Sequence, residues 1–123
     1  MSFQVRERFG VDGVELAWDR WGPDDGTPLV LCHGFSGSAD DFALNIPDLA
    51  RTRPGLALDH RGHGRSTQTR DGSSYGLDRL AADLAAWLST IAEGPVDLLG
   101  HSMGGRIVLQ VAVDRPELVR SLL

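Results

Sequence analysis

Gly100-His101-Ser102-Met103-Gly104-Gly105 sets one hydroxyl among glycines where the mostly apolar run Val96–Leu99 gives way to a helix-like segment. A serine oxygen is a weak nucleophile unless it is exposed, oriented and given a base. Presenting it at the tip of a sharp strand-to-helix turn forces strained backbone angles on the serine. The residues two positions either side must then be small, and Gly100 and Gly104 hold those positions. Gly105 is expected to let the helix approach the sheet closely. The same turn leaves the Met103 N–H free at a helix N-terminus, where partial positive charge favours an oxyanion. The pattern suits attack by Ser102 on a carbonyl carbon.

The elements that would carry this turn follow from hydrophobic spacing. FQVRERF, from Phe3, alternates apolar and polar residues, and VELAWDRWG, from Val14, does so more loosely. With GVDG between them they read as a β-hairpin. TPLVLCHG, from Thr27, is a continuous apolar run ending at His33-Gly34, which suits a strand buried on both faces of a parallel sheet. GLALDHRG, from Gly55, is a second such strand, and VDLL, from Val96, a third. Ser38 with Asp41 three residues on marks a helix start that Pro47 disturbs. Leu77, Leu80, Ala81, Leu84, Trp87, Leu88 and Ile91 form one apolar helical stripe, with Gly76 as its N-cap and Gly94-Pro95 as its end. Beyond the glycines, Arg106, Gln110 and Asp114 make a narrow polar stripe on an otherwise apolar helix, which Pro116 helps stop. LVRSLL, from Leu118, reads as a further strand. A hairpin followed by alternating strands and helices predicts an α/β fold, with a mostly parallel sheet covered by helices on both faces.

Composition narrows the function. Hydrophobic residues are 41% and charged residues 24% of the 123, as in a globular domain. A formal net charge of −5, with basic residues scattered singly, gives no footprint for nucleic acid or an anionic membrane. The lone Cys32 sits in an apolar run and reads as a buried small residue. MSFQVRERFGV lacks the pattern of a secretory signal, and no apolar run approaches a membrane span, so a cytoplasmic location is expected. His60 and His63 are three apart, but no carboxylate or cysteine cluster completes a metal site, and His63 reads as part of a structured turn. GHGRS lacks the third glycine of a dinucleotide fingerprint, and GHSMGG lacks the lysine of a phosphate-binding loop. No metal or cofactor is expected. Met103, Phe35 and Phe42 suit substrate contact and packing equally.

Three segments together resemble the α/β-hydrolase fold family. GHSMG is similar to its nucleophile elbow, G-x-S-x-G, and stands between a strand and a helix as that motif requires. LVLCHGF resembles the strand ending in His-Gly that supplies the other half of the oxyanion hole. LDHRGHGRS resembles the family's aspartate-arginine-glycine-x-glycine-x-serine turn. The resemblance implies that Ser102 is the acyl nucleophile and that the N–H groups of Phe35 and Met103 form the oxyanion hole. It makes Gly100, Gly104 and Gly105 the structural elbow, and His33, Gly34 and His101 candidates for the substrate pocket. For His33 a structural or positioning role is expected over proton transfer, and His101 is expected to point away from the nucleophile. Among family members the chain most resembles small-molecule serine hydrolases, namely carboxylesterases, enol-lactonases and carbon–carbon bond hydrolases. Haloalkane dehalogenases and epoxide hydrolases of this fold use aspartate at the elbow, which this chain lacks. A cofactor-free haloperoxidase or perhydrolase, and a non-catalytic ligand-binding scaffold, remain open.

In this fold the triad runs serine, acid, histidine along the chain. After Ser102 the only carboxylates are Asp114 and Glu117, and no histidine follows His101. The general base and its acid are therefore not present. Residues 1–123 read as the N-terminal part of a single domain, truncated after the elbow helix, with lid and C-terminal strands absent. Alone it is expected to be inactive. The expected partners are a small-molecule substrate and either a missing C-terminal half or a second copy meeting an exposed sheet edge.

Overall fold

Asp12 and Gly13, both at positive φ (51° and 82°), close a two-residue hairpin between β1 (Val5–Val11) and β2 (Val14–Trp21). Such primed turns match the right-handed twist of the flanking strands. The computed structural model describes residues 5–70 and 75–123. Phe3 and Gln4 of the expected first strand, and residues 71–74 of the loop before the long helix, lie outside the described residues. The remaining strands are β3 (Leu29–Cys32), β4 (Gly55–Leu58), β5 (Val96–Gly100) and β6 (Val119–Leu122). They form one sheet in the order β1-β2-β4-β3-β5-β6. β1 and β2 are antiparallel to their neighbours, while β4, β3, β5 and β6 run parallel.

Every residue of β3 and β4 is buried, as continuous apolar runs require when both faces of a sheet are covered. One face carries α2 (Leu77–Ile91) and α3 (Met103–Asp114), which pack with Leu16, Trp18, Val30, Leu58 and Leu98. The other face carries a shorter layer built on Ala39, Ile46 and Ala50 against Leu29, Leu31 and Ala57. Here the expected single helix becomes two short pieces. Ser38 does form a capping box with Asp41, but over a 3₁₀ turn, Ala39–Phe42, and a separate one-turn helix α1 (Ile46–Leu49) follows. Pro47 sits in the first turn of α1, where its missing N–H has no helical partner to lose, so it starts a helix rather than disturbing one.

Two buried charges lie within these elements without having been singled out in the sequence. Asp83 lies on the buried face of α2, and Asp97 inside β5. The Asp97 carboxylate accepts from Arg53 (2.6 Å), Arg120 (3.0 and 2.6 Å) and the Ser121 hydroxyl (2.6 Å). The Arg120 bonds hold this carboxyl far below its usual range against the opposing effect of burial. These bonds tie β6 to β5 at the end of the sheet remote from the elbow.

Candidate active site

β3 is the central switch of the sheet: the chain leaves it toward β4 on one side, and β5 lies on the other. Crevices at the carboxyl ends of strands beside such a reversal are where open α/β sheets bind ligands. Ser102 stands there, at the junction of β5 and α3, with φ 56° and ψ −115°. A non-glycine residue at such angles is strained by about 1–3 kcal/mol, and the surrounding structure must hold it. The glycines show how it does so. A Cβ on Gly100 would meet the backbone of Gly104 and reach within 2.6 Å of the Gly105 nitrogen. A Cβ on Gly104 would strike the Cys32 carbonyl and stand 2.6 Å from the His33 carbonyl. α3 therefore lies directly on the end of β3 through Gly104. Gly105 does not have the role expected of it: a Cβ there would sit 3.5 Å from the Gly100 oxygen, an ordinary contact.

The Ser102 side is exposed and its hydroxyl bonds to no imidazole among the described residues. At the start of α3, the N–H groups of Gly104, Gly105 and Arg106 donate to the carbonyls of His101 and Ser102, while the Met103 N–H has no partner among the described residues. Opposite lies the loop after β3. Its Gly34–Gly37 turn is closed by the Gly37 N–H donating to the Gly34 carbonyl (3.0 Å), and among the described residues the Phe35 N–H again has no partner. A Cβ on Gly34 would come within 3.2 Å of the His101 oxygen and 3.3 Å of the Ser102 Cβ. The absence of a side chain at Gly34 thus brings the Phe35 turn against the serine. The two N–H groups read from sequence as the oxyanion hole are on adjoining loops.

The histidines separate. His101 is exposed, and its amide donates to the Cys32 carbonyl (3.0 Å), extending the β3–β5 ladder to the elbow. His33 is fully buried, so it offers no surface to a substrate, contrary to its place among the pocket candidates. Its Nδ1 donates to the Gly34 carbonyl (2.7 Å) and its Nε2 accepts the His60 amide (3.0 Å), a neutral tautomer fixed by the network. His63 bonds the Arg61 carbonyl through Nδ1 (2.9 Å) and meets the exposed Phe35 ring edge-on, 6.0 Å between centroids. Cys32 is buried, which pushes its thiol up to about 12 and leaves it un-ionised. Asp114 bonds Gln110, and Glu117 bonds Arg115. Asp114 ends α3, about 16 Å of helix rise from its start, too far to orient a base at Ser102.

What the sequence reading did not resolve is how the Asp59–Thr67 turn holds this edge together. Asp59 accepts from the Ala39 amide (2.7 Å) and the Arg65 amide (2.9 Å). The Ser66 hydroxyl takes the Ala17 amide (2.8 Å) and donates to the Asp59 carbonyl (2.6 Å). Arg61 makes a bidentate pair with Asp83 of α2, both bonds 3.0 Å and both side chains almost fully buried. Burial raises the Asp83 carboxyl more than Arg61 lowers it. The alternation of charged, glycine and serine residues in DHRGHGRS was the available signal, but its partners lie on β2, α2 and the 3₁₀ turn. A cleft of about 650 Å³ between Arg20, Pro54, Ile91 and Arg120 opens where the parallel strands begin, at the end opposite Ser102. The chemistry of the elbow outweighs its size. Among the described residues no group of histidine, cysteine or acid side chains is arranged to hold a metal ion, and no helix is long and apolar enough to cross a membrane.

The model of the alpha/beta hydrolase fold family matches residues 27–123. The chain belongs to this family. Its mostly parallel sheet with an antiparallel hairpin is the family's fold, here over 123 residues. The chain is 41% identical over 112 residues to the dihydrolipoyllysine-residue acetyltransferase component of an acetoin cleaving system from Pseudomonas putida, covering 91% of this chain and 30% of that protein. It is 39% identical over 95 residues to a non-heme chloroperoxidase of Streptomyces lividans, covering 76% and 34%. A solved N-acyl homoserine lactone degrading enzyme, Est816, is 31% identical and superimposes with a TM-score of 0.85, covering 94% and 43%. This α/β-hydrolase chain thus spans less than half the length of each.

Proposed function

We propose that this α/β-hydrolase chain carries the nucleophile and oxyanion hole of a serine hydrolase acting on a small carboxylic ester, lactone or related acyl compound. One observation carries the reading: an exposed serine is held at positive φ on a strand–helix turn, beside unpaired N–H groups at Met103 and Phe35. Ser102 Oγ attacks the substrate carbonyl and yields its proton to a histidine base. The carbonyl oxygen, now an oxyanion, is received by the two N–H groups, pre-aimed and aided by the positive end of α3. Collapse expels the alcohol with that proton and leaves an acyl-Ser102 ester, which water then cleaves. None of the four histidines is bonded to Ser102, and on this reading the base and its acid are supplied by further chain. The 123 residues alone are accordingly inert. The lactone-degrading neighbour supports an ester-like substrate.

A second reading rests on the chloroperoxidase relative: the same serine would pass its acyl group to hydrogen peroxide rather than water. A fluorophosphonate probe tests the nucleophile. Protein expressed from its complete reading frame should be labelled on the peptide containing Ser102, and peroxide-dependent bromination separates the second reading from the first. No labelling of Ser102 in a folded, full-length protein would overturn both.

A further inference from the structure

Beneath the oxyanion loop lie three imidazoles from two segments. His33 follows directly on β3, and His60 and His63 belong to the turn after β4. The ring centroids of His33 and His60 are 4.4 Å apart, of His33 and His63 5.1 Å, and of His60 and His63 6.5 Å. His33 and His60 are buried, and neither ring nitrogen of His60 has a hydrogen-bond partner among the described residues. A buried donor and acceptor left unmatched is unusual enough in a native fold to call for a reason. His33 shows what the cluster touches. It bonds the same Gly34 carbonyl that closes the turn bearing Phe35, and it does so while accepting the His60 amide at its other nitrogen.

That arrangement works in one protonation state. A proton on His33 Nε2 turns an acceptor into a donor facing the donor N–H of His60. It also sets a buried positive charge beside two other imidazoles. The carboxylates nearest His33 are Asp59 and Asp41, which favour the charged form, and Asp59 is already engaged by the amides of Ala39 and Arg65. Burial outweighs them and lowers His33, while burial and then the charges of His33 and His63 lower His60 well below the usual value. The neighbouring Cys32 thiol stays neutral, and the elbow contributes only the exposed His101.

We propose that His33 and His60, packed against His63, form an acid-released latch that holds the Gly34–Gly37 turn, and the Phe35 N–H it presents, only while the imidazoles are uncharged. They are positioning residues, and the proposal rests on the reading of Phe35 as an oxyanion donor. Closed, the rings resist protonation; open, they titrate near the ordinary value of about 6.5. Opening therefore takes up protons below that pH, and the closed turn is favoured above it.

Hydrogen exchange of the Gly37 and His60 amides, which report the two latch bonds, tests this on the full-length protein between pH 7.5 and 5. Corrected for the intrinsic rate, their opening constant should rise by up to about 100-fold per pH unit below about 6.5, two protons being taken up, while Leu31 and Ala57 stay protected. His60→Phe keeps the ring and removes its nitrogens, and should cut the slope to about 10-fold per unit. A slope that matches the sheet amides, or is unchanged in His60→Phe, overturns the latch. Should that variant fail to fold, imidazole ¹⁵N shifts of the unaltered protein decide: a charged His33 with the Gly37 amide still protected also overturns it. The two readings fail separately. An acid-opened turn with an unlabelled Ser102 sinks the hydrolase, and a labelled Ser102 with an acid-indifferent turn sinks the latch.

Discussion

Two turns meet at the carboxyl edge of this sheet and are built on opposite principles. The elbow, Gly100–Gly105, is held by what is missing: two glycines let backbones touch, and the serine between them is exposed and at positive φ. The Asp59–Thr67 turn is held by what is present: Ser66, Asp59 and Arg61 are taken by partners on β2, the 3₁₀ turn and α2. The first stores strain and leaves an N–H unpaired, which is what a reactive site requires. The second pairs its buried charges, while the His60 ring within it finds no partner among the described residues. On the proposed function, reactivity and rigidity are thus placed in adjacent loops rather than combined in one.

Substitutions at the two turns should fail in different ways. Ser102→Ala in the full-length protein is expected to abolish probe labelling and lower turnover by about three orders of magnitude or more, with the melting temperature almost unmoved. A large loss of stability would mean that the serine is structural. Arg61→Ala should do the reverse, destabilising by about 3–5 kcal/mol because Asp83 is left as an uncompensated buried carboxylate. Denaturant unfolding measures this, and Arg61→Ala combined with Asp83→Ala should recover part of the loss. Within the elbow, Gly104→Ala should cost about 1–3 kcal/mol by overpacking against β3, and activity should fall with it. Gly105→Ala is the smallest and most discriminating change. It has room, lies in α3, and should stabilise by about 0.5–1 kcal/mol, seen as a small rise in melting temperature with labelling intact. A Gly105→Ala as damaging as Gly104→Ala would show that both glycines fence the serine.

The order of elements was legible in the residues because it rests on local periodicity. β3 and β4 appear as unbroken apolar runs, β5 as a short run broken by Asp97, α2 as a stripe at three- and four-residue spacing, and the hairpin link as GVDG. Ser102 was legible for a related reason, since the constraint of a strained turn acts within two residues and writes itself as glycine. The fate of Asp83, Asp97 and His33 was not legible. Each is a polar residue whose burial depends on a partner far along the chain: Arg61 for Asp83, Arg53 and Arg120 for Asp97, the His60 amide for His33. The split of the expected helix into a 3₁₀ turn and α1 likewise follows from packing Ala39 and Ile46 on the second face of the sheet. Sequence by itself determined which backbone shapes were available and which side chain could react. Tertiary structure alone decided which glycine bears on β3, which histidine is sealed in, and which charges cross-brace the site, because those depend on contacts between segments that share no local pattern.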